Sequence, residues 1–140
     1  MNLIELKNQP KRYYSDHNTV YSCQYHVIFT TKYRRKVLSD IMVEEIKRLI
    51  FDKQTEYNYH ILEMEVMPDH VHLLIEIHPK DSVRKVISKI KRFLSHELRA
   101  KHPELNRKLP TLWTRAMFVS TVGSVSLETV KKYIELQKGK

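Results

Sequence analysis

The sequence contains little cysteine or glycine and no long hydrophobic run. Its one cysteine, Cys23, has no partner for a disulfide within the chain, so we expect a reducing compartment, the cytoplasm. No stretch reaches the roughly 18 consecutive apolar residues of a membrane-spanning helix. Residues 1–17 contain no apolar signal core, so we expect no contact with a membrane. Gly123 is the only internal glycine and allows a hinge there, although a plain turn is the simpler interpretation.

The chain is short and strongly basic. Its 140 residues suffice for one domain with its own core, but not for a second catalytic module. We predict a flexible N-terminal arm over residues 1–17 and a single domain over residues 18–140. Lysine and arginine number 25 against 16 acidic residues, which gives a net charge of +9. Such an excess is typical of nucleic-acid binders, although other basic proteins share it.

The spacing of apolar residues predicts elements in the order β-α-β-β-α-β-α. We predict strands over residues 20–31, with Cys23 in the middle, and over 59–67, 70–77 and 113–122. In the second strand we expect Leu62, Met64 and Val66 to face the core. The predicted helices begin at Ser39, at Asp81 or Ser82, and at Ser126. This order is that of the ferredoxin-like (RRM-like) α+β fold, in which two helices cover one face of a four-stranded antiparallel sheet.

A His-x-His motif lies on the third predicted strand. His70 and His72 alternate with Val71 and Leu73, so both imidazoles are expected on the open face of the sheet. Residues two apart on a strand lie ~6.6 Å apart with parallel side chains. Two such imidazoles can converge on one metal ion. The motif alone also fits a pair of solvated histidines.

The last predicted helix contains a tyrosine and a glutamine four residues apart. Tyr133 and Gln137 therefore lie on the same edge of that helix, beside its apolar stripe. Taken alone, a tyrosine beside such a stripe is ordinary packing, and an exposed glutamine needs no special role.

Several stretches, in this order, resemble the IS200/IS605 insertion-sequence transposases, the single-tyrosine HUH transposases. They are TVYSCQYHVIFTTKYRRKVL, MEVMPDHVHLLIEIHP, KLPTLW, FVSTVG and VKKYIELQ, and the resemblance spans residues 18–138. It implies that Tyr133 is the nucleophile and that His70, His72 and Gln137 hold Mg²⁺ or Mn²⁺. The ligand types alone would suit zinc, nickel or copper better.

The resemblance also implies a reaction and partners. Tyr133 would attack single-stranded DNA at hairpin-bearing element ends and form a 5′-phosphotyrosine, which a 3′-hydroxyl can later reclaim. The implied assembly is a homodimer in the prokaryotic cytosol or nucleoid, in which the histidine pair of one subunit meets the tyrosine helix of the other. A tyrosine docked on its own subunit is the alternative arrangement.

Two basic segments are candidates for contact with DNA phosphates. The first follows the first strand and the second lies on the second helix, where Lys91 is among the basic residues. Tyr33 can stack on a base, whereas Trp113 is expected in the core. The candidates are Lys32, Tyr33, Arg34, Arg35, Lys36, Arg84, Lys85, Lys89 and Arg92.

Three other functions fit parts of the sequence. A related tyrosine nuclease could process repeated palindromes without moving its own element. A ferredoxin-like nucleic-acid-binding module without catalysis would carry stacked aromatic rings on its open sheet face. A metal-sensing DNA regulator would bind metal and DNA without needing Tyr133.

Overall fold

A computed structural model describes residues 2–5 and 12–123. The predicted last helix, with Ser126, Tyr133 and Gln137, lies outside these residues. The larger of two compact units runs from Cys23 to Thr121, and the other described residues belong to the smaller unit. Among the described residues, each helix is too short or too polar to span a membrane.

The larger unit is built around a four-stranded antiparallel sheet of order β5-β6-β4-β7. Its strands are β4 (Gln24–Thr30), β5 (Tyr59–Met67), β6 (His70–Ile77) and β7 (Phe118–Thr121). Its helices are α1 (Asp40–Asp52), α2 (Gln54–Tyr57), α3 (Val83–Lys101) and α4 (Glu104–Lys108). The two central strands, β4 and β6, are the first and third strands of this sheet along the chain. The predicted ferredoxin-like α+β fold is confirmed.

One face of β6 forms the centre of the core. Its alternate residues Val71, Leu73, Ile75 and Ile77 are buried, as the apolar alternation predicts. They belong to one cluster with apolar side chains of α1 and α3, among them Met42, Ile46, Ile50, Val86, Ile87, Ile90, Leu94 and Leu98. The residues between them, including both motif histidines, therefore face away from the helices.

Both long helices begin at the serines that the sequence predicted as caps. The hydroxyl of Ser39 accepts a hydrogen bond from the backbone of Met42 at 3.4 Å, and that of Ser82 accepts from Lys85 at 3.4 Å. Each bond satisfies an amide that has no partner within its helix. Of the two predicted starts for α3, Ser82 is therefore the correct one.

The first predicted strand is wrong in its extent, because the chain changes sheets within it. Residues Val20–Tyr21 form β3 of a separate sheet, and β4 begins only at Gln24. Cys23 thus lies between two strands rather than in the middle of one. Its amide donates to the carboxylate of Glu76, and its carbonyl accepts from the backbone of Ile77 at 3.0 Å.

Two further strand predictions need correction. A β-bulge lies between Ile61 and Glu63 on β5, so Leu62 is left out of the register and does not join the core cluster. The fourth strand is continuous only from Phe118, although Trp113 makes an isolated antiparallel bridge to Thr31 at the end of β4. Residues 114–117 are held away from regular strand pairing by Lys91. Its ammonium group donates hydrogen bonds to the carbonyls of Thr114 at 2.7 Å and Ala116 at 3.2 Å. This segment therefore packs against α3.

The smaller unit contains a three-stranded antiparallel sheet within the predicted arm. Its strands are β1 (Asn2–Glu5), β2 (Arg12–Ser15) and β3 (Val20–Tyr21), in that order. The rings of Tyr14 and Tyr21 stack with their centroids 6.0 Å apart. The sequence pattern did not indicate strands before residue 18, and the flexibility of the arm stays a prediction.

Candidate metal centre and nucleic-acid interface

The pairing of strands determines which side chains share the open face of the sheet. His70 pairs with Thr30 of β4, and His72 pairs with Ile28. Directly opposite residues in a sheet project from the same face. His26, two residues before Ile28, therefore shares this face with both motif histidines. The predicted placement of His70 and His72 away from the helices is confirmed by the buried residues between them.

His70 is held by the neighbouring carboxylate. Its Nδ1 lies 2.8 Å from Oδ1 of Asp69, and the guanidinium of Arg34 lies 3.6 Å from the other carboxylate oxygen. The hydrogen bond from His70, assisted by the charge of Arg34, lowers the pKa of Asp69 below its usual value. An ionised carboxylate can only accept, so Nδ1 of His70 carries a hydrogen. The Nε2 atom of His70 is thereby left to face a ligand.

The turn that carries Asp69 is fixed by the end of β4. The backbone amide of Thr31 donates to the carbonyl of Asp69 at 2.9 Å, and its hydroxyl donates to the carbonyl of Arg35 at 2.7 Å. Leu38 donates to the carbonyl of Pro68 at 3.1 Å. Thr31 is fully buried, so these bonds are shielded from water. These hydrogen bonds fix the position of the turn, and with it the positions of Asp69 and His70.

His72 has an imidazole partner that the sequence interpretation missed. Its Nε2 lies 3.1 Å from Nδ1 of His26, and the two ring centroids are 5.3 Å apart. His26 alternates with the buried Val27 and Phe29, a period that places it on the same face as the motif. That alternation was visible in the sequence, but the strand register that brings the two rings together was not.

The two motif histidines are suitable as part of a metal site but do not complete one. Each imidazole has a ring nitrogen that can bind a metal ion. The hydrogen bond from His70 to Asp69 is of the kind that orients ligand histidines in metal proteins. Within residues 2–5 and 12–123, no three His, Cys, Asp or Glu side chains are grouped closely enough to hold an ion. A complete metal site would therefore need ligands from outside this set, and the predicted Gln137 lies outside the described residues.

The first basic segment, residues 32–36, forms a tight turn beside this site. Tyr33 and Arg34 both have positive φ, at 59° and 51°, an uncommon conformation for residues other than glycine. The ring of Tyr33 is 67% exposed and is contacted by the ammonium of Lys32 at 5.3 Å from its centroid. Because Arg34 also reaches Asp69, this turn links exposed positive charge to His70.

The second basic segment lies on α3. All four candidates there, Arg84, Lys85, Lys89 and Arg92, are exposed. An open groove of about 740 Å³ lies between this helix and residues 111–115, and it is lined by Arg84, Arg92 and Arg115. Arg115 was not among the predicted DNA contacts, because the sequence placed it inside a strand.

One basic and one aromatic residue near this groove, Lys91 and Trp113, have structural roles. Lys91 is buried, burial lowers its pKa, and its ammonium group already donates to two backbone carbonyls. Trp113 is also buried, as predicted. Its indole donates to the carbonyl of Lys91 at 3.1 Å, and its ring meets Phe29 edge-on with the centroids 4.9 Å apart.

The open face does not resemble an aromatic RNA-binding platform. In the two central strands, alternation places Gln24, His26, Ile28 and Thr30 on this face from β4, and His70, His72, Leu74 and Glu76 from β6. Phe118, opposite Ile28 on the edge strand β7, is the one Phe, Tyr or Trp that the described sheet presents there. A non-catalytic module that stacks bases on central aromatic rings is therefore disfavoured.

Comparison with known proteins identifies relatives over almost the whole chain. The family model described as "Transposase IS200 like" matches residues 19–137. The ISDra2 transposase TnpA of Deinococcus radiodurans is 32% identical over 123 residues, which cover 86% of this chain and 88% of the relative. The transposase of insertion sequence element IS200 from Salmonella typhimurium is 31% identical over 122 residues, or 86% of this chain and 80% of the relative.

Solved structures show the same fold. A crystal structure of a Deinococcus radiodurans R1 protein described as a transposase superposes with a TM-score of 0.72 at 30% identity, and the match covers 89% of this chain and 97% of that one. A REP-associated tyrosine transposase, solved bound to a REP hairpin, superposes with a TM-score of 0.56 at 15% identity, over 88% of this chain and 68% of that one.

Proposed function

Because this chain belongs to the IS200-like transposase family, we propose that it cleaves and rejoins single-stranded DNA at the ends of an insertion sequence through a covalent phosphotyrosine. The observation that carries the proposal is the pair His70 and His72, which project from the open face beside an exposed basic turn. A role in mobilising an element is favoured over palindrome processing, since the relatives at 31–32% identity are transposases of insertion sequences.

The proposed nucleophile is the phenol oxygen of Tyr133. It would form a bond to the phosphorus of one phosphodiester while the bond from phosphorus to the 3′-oxygen breaks. The phenol loses its proton to solvent, and the departing 3′-oxygen gains one. The product is a 5′-phosphotyrosine and a free 3′-hydroxyl. Attack by another 3′-hydroxyl reverses these bond changes, so no nucleotide cofactor is needed.

The proposed ligands of a divalent ion are His70, His72 and Gln137, with Mg²⁺ or Mn²⁺ as the ion. When bound, the ion would act as a Lewis acid on the non-bridging phosphate oxygens. His70 contributes a ring that Asp69 holds through Nδ1, so that Nε2 is directed away from the carboxylate. Both rings project from the open face of the sheet, where a phosphate can approach them. Histidines on the opposite face would be enclosed in the core.

The proposed DNA partner is a single strand that carries hairpins near the element ends. The solved relative with 15% identity is bound to a REP hairpin, and the exposed basic residues of this chain suit a phosphate backbone. The turn at residues 32–36 is the favoured contact near the reacting phosphate, since Arg34 lies beside Asp69. The exposed charges of α3 and its groove supply a second contact surface.

A strand-cleavage assay tests the proposed function. Single-stranded oligonucleotides tiled across both flanks of the gene are end-labelled and incubated with the full chain and Mg²⁺ or Mn²⁺. We expect one strand to be cut at a discrete position near a hairpin, with no cutting of the annealed duplex or in EDTA. Equal cleavage of duplex and single strand, or full cleavage in EDTA, would contradict the proposal.

Charge removal in the basic turn tests the proposed DNA contact. Lys36→Ala should weaken binding of a hairpin-bearing single strand and reduce the slope of log K against log salt by ~0.7, because one released counterion is lost. Fluorescence anisotropy at several salt concentrations measures this slope. Lys108→Ala, which changes another exposed lysine, on α4, is the matched control. Equal slopes for both variants would remove the turn from the proposed interface.

A further inference from the structure

The hydrogen bond between His26 and His72 is not required by the fold. The core beneath β4 and β6 is closed by Val27, Phe29, Val71 and Leu73, which are at most 1% exposed. His26 and His72 project from the other face and are diagonal neighbours, since His26 pairs with Leu74 and His72 pairs with Ile28. An aliphatic residue at position 26 would be compatible with that core. The contact therefore calls for an explanation beyond packing.

A nitrogen-to-nitrogen distance of 3.1 Å restricts the chemistry of both rings. A hydrogen bond between two neutral imidazoles needs the hydrogen of one ring and the lone pair of the other. The bond couples the tautomers of the two rings: either Nε2 of His72 donates to Nδ1 of His26, or it accepts and His72 carries its hydrogen on Nδ1. Only the arrangement in which Nε2 of His72 donates and Nδ1 of His26 accepts leaves a lone pair on Nδ1 of His72 for a metal ion.

The two motif histidines are thus supported in the same way by different groups. One nitrogen of His70 is held by the carboxylate of Asp69 at 2.8 Å, and one nitrogen of His72 is held by His26 at 3.1 Å. In metal sites, such partners set the tautomer and the ring direction of the ligand, and their loss costs ~10-fold to 100-fold in metal affinity or activity. The sheet supplies one partner from the turn and one from the neighbouring strand.

We propose that His26 is a positioning residue for His72. By accepting at Nδ1 from Nε2 of His72, it holds the His72 imidazole in the tautomer whose Nδ1 has a lone pair for the ion, so that the ring is oriented on the open face before DNA arrives. The inference rests on the proposed function, because it assigns His26 to the metal site formed by His70 and His72. His26 itself contributes no bond to the reacting phosphate.

A Mn²⁺ titration of the full chain tests this role without any cleavage step. Electron paramagnetic resonance measures the concentration of free ion at each point of the titration. His26→Leu should raise the dissociation constant for Mn²⁺ by about 10-fold or more. His26→Asn should recover much of the affinity, because its amide group occupies the position of Nδ1. His96→Leu removes an exposed imidazole of α3 and should leave binding unchanged.

A second readout is the tautomer of His72 in metal-free protein. Long-range proton–nitrogen NMR spectra should show one tautomer for His72 in the unmodified chain and in His26→Asn, and a mixture in His26→Leu. Far-ultraviolet circular dichroism confirms that each variant is folded. Unchanged or tighter Mn²⁺ binding by His26→Leu, or an unchanged His72 spectrum, would overturn the inference.

The same titration separates this inference from the proposed function. If His70→Ala leaves Mn²⁺ binding intact, the proposed metal site is wrong, and the proposed positioning role of His26 is refuted as well. If His70→Ala abolishes binding while His26→Leu has no effect, the metal site stands and only the role of His26 is refuted.

Discussion

Tyr133→Phe should reduce covalent attachment of DNA to the protein by a factor of ~10³ or more, because the substitution removes the one oxygen that attacks phosphorus. Binding of the same single strand should change by less than about twofold, since loss of a hydroxyl from one ring removes no charge. Denaturing electrophoresis of a 3′-labelled strand measures the adduct, because the 3′ label stays on the fragment that is joined to the protein, and anisotropy measures binding.

The matched control for this variant is Tyr33→Phe. It makes the same chemical change on an exposed ring of the basic turn, where the hydroxyl has no proposed part in the reaction. Adduct formation should remain near the unmodified level. Wild-type amounts of adduct with Tyr133→Phe would show that another group is the nucleophile.

His70→Ala should lower the cleavage rate by at least ~100-fold and abolish measurable Mn²⁺ binding, because it removes one of only two imidazole ligands. The change leaves the buried face of β6 intact, so the fold should be retained. His60→Ala, on the edge strand β5, removes a histidine outside the proposed ligand set and is the control. Single-turnover kinetics at saturating protein separates the chemical step from DNA binding.

The two inactive variants together test the proposed dimer. If the tyrosine of one subunit meets the histidines of the other, mixing His70→Ala with Tyr133→Phe restores activity. The recovery should approach about a quarter of the wild-type level, since roughly half of the dimers are mixed and each contains one intact site. No recovery after confirmed subunit exchange would favour the tyrosine docked on its own subunit.

The sequence predicted those parts of the fold that depend on local pattern. Along β6, apolar residues alternate with polar ones because one face of the strand is buried. This alternation identified the buried face and therefore placed His70 and His72 on the other face. The hydroxyls of Ser39 and Ser82 marked two helix starts for an equally local reason, their bonds to amides three residues on. Topology then followed from the order of elements.

Features that depend on distant partners were missed. Nothing near Cys23 shows that its amide will meet Glu76, 53 residues later, and end one strand before the next begins. Lys91 resembles an ordinary surface lysine until the carbonyls of Thr114 and Ala116 are placed against it. The contact between His26 and His72 likewise needs the register of β4 against β6, which alternation alone does not fix.

The most direct test of the account is mass spectrometry of the protein–DNA adduct. The adduct formed with a single-stranded element end is digested with nuclease and trypsin, and the peptide that retains a nucleotide is sequenced. The proposed mechanism predicts a phosphotyrosine-linked nucleotide on the peptide of residues 133–138, attached at Tyr133. A nucleotide on any other residue, or cleavage that proceeds with no covalent intermediate, would contradict it.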